Sequence, residues 1–308
     1  MDLSLVLDPT YLGQNLVDGL SRGAVYSVFA LGFTLIFGIL DIVNLAHAAT
    51  YVWCAFAGWL VLSLLGLPLP LALVVSMSTG VLMAVALELA AFRPLRREGA
   101  DRLAPMISSI GASLILVSVA EAVFGSSTRR FPDHVLDPRP LMLGGPDGLR
   151  ISWAQIIIVT VSLALMAGLG FFIRRTRWGK AIRAVAANQK ASRLLGIDVN
   201  AVIVATFAVA GALAGAAGIL VGLMTNNISP AIGSQIELRG LAVVILGGMG
   251  NIEGAVLGGF LLGIVETFTI AYVPSGADFK DAIAFFILFL VLLIRPYGLL
   301  GKSEATKA

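Results

Sequence analysis

Charge is what this chain has least of. Asp, Glu, Lys and Arg make up 13% of its 308 residues, against 58% hydrophobic side chains, where a soluble domain carries about 25% charged residues. That shortage excludes a water-borne domain. Cysteine is almost missing: Cys54 stands alone in an apolar run, which excludes an intrachain disulfide and a thiolate metal cluster. Histidine occurs only as His47 and His134, in different segments, and there is no His-Glu-x-x-His pair. A metalloprotease or a histidine-based hydrolase therefore lacks its ligands and its base. No Gly-x-x-x-x-Gly-Lys-Ser/Thr occurs, so the chain has no P-loop with which to bind ATP. Residues 1–18 hold Asp2, Asp8 and Asp18 but no base. The basic start of a cleaved signal peptide is lacking, and the first span is expected to stay as an anchor.

Acids well inside the apolar runs are few, chiefly Glu88, Glu121 and Glu266, with no basic partner in their own runs. A proton- or ion-coupled carrier usually has more such groups. Each is a functional candidate by default, although Glu88 lies close enough to Arg93, Arg96 and Arg97 to snorkel.

What is abundant is apolar sequence in membrane lengths. Runs fall at 20–40, 50–65, 69–92, 103–125, 151–172, 199–224, 241–272 and 282–294, and a bilayer core takes about 20 residues of helix. The expected fold is all-α: one domain over 1–308, a polytopic membrane helical bundle of about eight spans with broken or re-entrant segments. The bases sit at span ends. Arg174, Arg175, Arg177, Lys180, Arg183, Lys190 and Arg193 face only Asp198 across residues 174–198, a balance of +6 in a chain whose whole balance is +3. Residues 93–102 carry a further +2, and the tail holds Arg295, Lys302 and Lys307. Bases near span ends resist translocation, so these three regions are expected in the cytoplasm, with the N-terminus and the Pro-rich loop 126–150 outside. The same bias accounts for the net positive charge without a nucleic-acid partner.

Within the basic island the residues also predict a short helix. Asn188 is a suitable N-cap, 189–195 are helix formers, and Gly196 is a natural stop. A small capped helix on a cytoplasmic loop is a docking element, and a proline at Ala191 is expected to break it.

Two places interrupt the helical pattern. One brings Asp41, Asn44 and His47 into apolar surroundings; the other, Leu246-Gly-Gly-Met-Gly-Asn-Ile-Glu-Gly254, sets Gly247, Gly248, Gly250, Asn251 and Glu253 between two apolar runs. Glycine costs about 1 kcal/mol relative to alanine in a helix interior, which argues for unwinding there. Unwound backbone at membrane depth is tolerated where protein or a wet cavity satisfies it, and paired breaks point to a substrate path. On that reading Asn44, His47, the Gly247–Glu253 stretch and Glu266 border the path, and the amides at the second break offer hydrogen bonds to a carboxylate. The alternative is that each break is a tight turn at the membrane surface, with Asn44 and Asn251 capping the helices that follow. The spaced pairs Gly211 and Gly215, Gly218 and Gly222, Gly254 and Gly258, and Gly259 and Gly263 predict close helix contacts.

Several phrases taken in order resemble the permease subunit of branched-chain amino-acid ABC importers. They are Gly23-Ala-Val-Tyr-Ser-Val-Phe-Ala-Leu-Gly-Phe-Thr-Leu-Ile-Phe-Gly-Ile39, Ile42-Val-Asn-Leu-Ala-His47, Phe92-Arg-Pro-Leu-Arg96, the stretch from Arg183 to Asp198, Ala242-Val-Val-Ile-Leu-Gly-Gly-Met-Gly250, Glu253-Gly-Ala-Val-Leu-Gly-Gly259 and Arg295-Pro-Tyr-Gly-Leu-Leu-Gly301. The chain looks most like the first of two non-identical permeases. The resemblance implies a bacterial plasma membrane location, a heterodimer with a second homologous permease, and an extracytoplasmic solute-binding protein. It also implies two cytoplasmic ATPase subunits, which would carry ATP and Mg while this chain binds no cofactor. Arg183, Asn188, Lys190, Arg193, Leu194 and Gly196 then belong to the segment that couples to an ATPase. Two departures stand out: Ala48 replaces the usual glycine after His47, and Val-Ala-Ala at 185–187 replaces Glu-Ala-Ala. Relatives in the wider family serve urea, amides, aromatic acids and sugars, so the substrate is open. A channel or secondary carrier needing no ATPase remains the alternative of another class. An intramembrane enzyme would have only Ser108, Ser109 or His47 to work with.

Overall fold

The computed structural model describes residues 8–101, 103–132, 135, 139–143 and 148–301. Asp2, Arg102, His134, Lys302 and Lys307 lie outside the described residues. The chain is a helical bundle. α1 (Pro9–Leu40) is followed by α2 (His47–Ser63) and α3 (Leu69–Leu87), and α3 runs through a π-turn at Glu88–Phe92 into α4 (Arg93–Arg97). After α5 (Leu103–Phe124) a two-stranded hairpin, β1 (Leu141–Leu143) and β2 (Leu149–Ile151), leads to α6 (Trp153–Arg175). The basic island folds as α7 (Arg177–Ala187) and α8 (Gln189–Leu194), and α9 (Val199–Thr225), α10 (Ile232–Gly247), α11 (Ile252–Tyr272) and α12 (Gly276–Ile294) complete the bundle.

Six of these helices, counting α3 to α4 as one, are long and apolar enough to cross a membrane. Two more come close: α2 has 17 residues, and α12 carries Asp278, Lys280 and Asp281 near its start. The 16-residue α10 is short for a span. Local chemistry sets the ends. Asp8 accepts the Thr10 amide at 2.9 Å and Pro9 opens α1, and Ser152 and Gln155 form a capping box on α6.

α1 is the central helix, enclosed from Gly23 to Ile36. Glycines let the others close on it and on one another. A Cβ at Gly263 of α11 would overlap the backbone of Gly23, and one at Gly211 of α9 would overlap the carbonyl of Gly80 in α3. The spaced glycines seen in the sequence are thus the seams of the bundle.

Side-chain contacts fix which ends lie together. Gln189 Nε2 donates to the Ile39 carbonyl at 3.1 Å, Arg96 Nη2 to Asn200 Oδ1 at 3.3 Å, and Asn251 Nδ2 to the Leu300 carbonyl at 2.7 Å. These bonds gather the end of α1, α4, the island 176–198 and the segment 295–301 at one basic end. At the other end the Tyr11 ring packs on Tyr272 at 5.7 Å, Trp59 donates to the Arg130 carbonyl, and Arg129 bridges to Ile228. Among the described residues, the basic regions expected to share a side of the membrane share an end of the bundle, the tail being represented by Arg295 alone.

Candidate functional site

The docking helix forms as its caps dictate. Asn188 Oδ1 accepts the Ala191 amide at 3.0 Å. At the far end Gly196 adopts φ +81, its amide donates to the Arg193 carbonyl, and the Ile197 amide donates to the Ser192 carbonyl at 3.0 Å. That double bond pattern across a left-handed glycine is a Schellman stop. It leaves Leu194 and Leu195 89% and 80% exposed, an apolar knob at the tip of a basic loop. Lys190 and Arg193 are exposed beside it. Ala191 is the third residue of the helix and its amide goes to the cap. A proline there removes the cap bond, not the i→i−4 bond that the sequence pattern suggested. The first such bond runs from the Ser192 amide to the Asn188 carbonyl, 3.0 Å.

The first break is a short excursion held by protein contacts. Asp41 ends α1 in the left-handed region at φ 54, its amide donating to the Phe37 carbonyl. Asn44 Oδ1 accepts the Ala46 amide at 3.1 Å, and Ser109 Oγ accepts the Leu45 amide at 3.2 Å. Ser109, itself fully buried, is thereby a prop for unwound backbone cut off from water. His47 is 1% exposed. Its ring lies 5.0 Å from Phe29 and 5.8 Å from Phe33, with Gly32 making room.

The second break sits at the basic end and is wrapped by the chain's last described residues. Leu299 and Leu300 donate to the carbonyls of Leu246 and Gly247 at 2.8 and 3.0 Å. Gly248 has φ +105 and leaves room for Gly301 and Tyr297 only because it lacks a Cβ. Asn251 caps α11 by accepting the Gly254 amide at 3.1 Å. The amides of Gly248, Asn251 and Gly254 all have internal acceptors, so these three are not on offer to a carboxylate. The two breaks approach each other through Gly38 and Gly250 and border one cleft of about 1020 Å³. Gly38, Asp41, Arg183, Asn251, Arg174 and Glu253 line it, the last two as an exposed ion pair. Asn44 and His47 are not among its lining.

Glu266 is 1% exposed and well partnered. Tyr26 Oη donates to it at 2.6 Å and Arg22 at 3.2 Å, and Arg239 lies 3.7 Å away. Glu88 is likewise buried, 2.6 Å from Arg96. The bases absent from the apolar runs of these acids come from neighbouring helices or from beyond the run's end. Glu121 lies on the exposed side of α5. Among the described residues no group of three His, Cys, Asp or Glu side chains is arranged to hold a metal.

Residues 15–292 match the family described as the permease component of branched-chain amino acid transport systems. The chain belongs to this family. This permease is 38% identical over 304 residues to the high-affinity branched-chain amino acid transport system permease protein BraD of Pseudomonas aeruginosa, covering 96% of this chain and 97% of that one. It is 32% identical over 307 residues to the corresponding protein LivH of Escherichia coli, covering 96% and 98%. Its relatives are transport permeases, not enzymes. Sequence inspection of the permease missed Arg22, Tyr26, Arg239 and Asp281 as one ionic cluster. The available signal was two arginines, Arg22 and Arg239, beside apolar segments, but Asp18 and Glu237 close by in sequence looked like local partners and masked it.

Proposed function

We propose that this permease carries branched-chain or other apolar amino acids through a bacterial plasma membrane, receiving them from an extracytoplasmic binding protein. It would do so beside a second homologous permease, driven by two cytoplasmic ATPase subunits that bind ATP and Mg. The single observation carrying this reading is α8, a capped helix that displays Leu194 and Leu195 on a basic loop and is tied by Gln189 to the end of the central helix. An apolar knob that enters a groove on a moving partner can transmit that motion to α1 and to the cleft beside Asp41. The printed functions of BraD and LivH support the substrate. Clustering of the bases at one end favours that end, with the segment 295–301, as cytoplasmic.

Reconstitution tests the reading. Proteoliposomes holding the permease pair alone should import no leucine; adding ATPases, binding protein and ATP should start import. Leucine flux through the permeases alone would make the protein a channel or carrier. Orientation has its own measurement. Cys54 is buried and out of reach of an impermeant reagent, so the native sequence serves as the background. In intact cells an impermeant maleimide should label the exposed Ser127→Cys and spare the exposed Ala187→Cys. The reverse pattern would invert the topology.

A further inference from the structure

We propose that the Arg239–Asp281 ion pair is a transit site for a zwitterionic apolar amino acid, taking its carboxylate on Arg239 and its ammonium on Asp281. The site deepens the amino-acid reading above and rests on it. Arg239 lies at the middle of α10, next to Gly240, which packs against the Phe29 ring of the central helix. Its guanidinium reaches α12, where Nε and Nη2 both donate to the single oxygen Asp281 Oδ1 at 3.2 and 3.0 Å. Asp281 is 52% exposed on this side of the bundle.

Asp281 stands just before the apolar stretch 282–294 of α12 and is half exposed, and a carboxylate there is costly against lipid, so this face borders water or protein. Its neighbours point to what passes. Leu238 precedes Arg239 and is exposed, and Phe285, one turn beyond Asp281, is exposed as well. Gln235, one turn before Arg239, adds a polar amide. The ensemble is a pair of opposite charges with apolar side chains on one flank and further charge, Asp278 and Lys280, on the other. An amino acid with an apolar side chain presents the complementary set: a carboxylate and an ammonium on one carbon, and a hydrocarbon branch. Laid antiparallel to the ion pair, its two charges meet their opposites at once.

The cluster behind the pair makes it dependable. Glu266 is held by Tyr26 and Arg22. Arg239 therefore keeps an anion behind it while its own carboxylate partner is engaged by a passing ammonium. The Tyr26 ring beneath the guanidinium, 5.9 Å from its centroid, steadies it further.

The test uses the complete reconstituted transporter with tritiated leucine and with photo-leucine, whose diazirine marks what it touches. During turnover, photo-leucine should label peptides of α10 and α12 in the wild type, and excess leucine should suppress the labelling. Asp281→Asn should lose that labelling and lower leucine import about tenfold, the effect of one charge-assisted contact, while Asp281→Glu restores most of both. Asp281 is at the surface, so this variant is a gentler probe than any change at Arg239. Wild-type labelling confined to other helices, or unchanged import by Asp281→Asn, would overturn the site alone. Loss of the second permease from the purified Asp281→Asn complex would make the pair a subunit contact and overturn it too. A wild-type complex that imports no leucine would overturn the amino-acid reading and this site with it.

Discussion

The Ser192→Pro variant is expected to reach the membrane normally and to import leucine at less than about one-tenth of the wild-type rate, because a proline inside a helix costs about 3 kcal/mol or more. Ser192 holds both ends of α8 together. Its amide makes the helix's first i→i−4 bond, to the Asn188 carbonyl, and its carbonyl accepts the Ile197 amide that closes the Schellman stop. A helix of 6 residues has no second turn in reserve. Its loss frees Leu194 and Leu195 from their fixed presentation and loosens Gln189 from Ile39. By contrast, Ala191→Pro removes one capping bond, worth about 1 kcal/mol, and should be the milder of the two. Both would be compared by import in proteoliposomes at equal protein content. Wild-type import by Ser192→Pro would end the coupling role of α8.

The second large effect is structural. Gly211→Val should prevent a stable bundle from forming, seen as loss of monodisperse protein after extraction or a sharply lowered unfolding temperature. Overpacking costs about 1–3 kcal/mol where side chains can give way, occasionally more. Here the obstacle is backbone: the new Cβ would meet the Gly80 carbonyl, and Gly80 is held equally tightly by the Gly211 carbonyl. Ser76, one turn before Gly80, bonds the same two helices, its Oγ 2.8 Å from the Gly215 carbonyl, so α3 cannot simply step back. Gly168 on α6 is the control. Nothing lies within 4 Å of a Cβ there, and Gly168→Val should behave like the wild type. Equal stability of the two variants would show that the α3–α9 seam is not tight in the folded protein.

Much of this architecture was legible because it depends on local chemistry. Asn188 and Gly196 mark α8 by properties that act within a few residues, and the four spaced glycine pairs mark seams because only glycine permits them. The two breaks were visible for the same reason. What escaped was what depends on distant partners. The apolar run beginning at residue 241 concealed a helix that starts at Ile232, because Glu237 and Arg239 interrupt its hydropathy. Those charges look like a loop until α1, α11 and α12 provide Tyr26, Glu266 and Asp281 around Arg239. Asn44 and His47 were singled out as polar groups in oil; the fold uses Asn44 to cap unwound backbone and encloses His47 among phenylalanines. No spacing rule separates that use from contact with a solute. The start of α1 at Pro9 was legible in principle from Asp8-Pro9, a cap followed by a first-turn proline, but Asp18 and Gln14 hid the continuing helix behind polar residues.

The wrapping of the second break carries a lesson about synthesis. The carbonyls of Leu246 and Gly247 find their acceptor role only when Leu299 and Leu300 arrive, and the bond from Asn251 to Leu300 joins residues 49 apart in sequence. A ribosome will therefore deliver α10 and α11 to the membrane well before the segment that seals them exists. During that interval the end of α10 must be tended by water or by the insertion machinery. The segment 299–301 then acts as a latch, and the nascent permease stays open at this basic corner until those residues arrive.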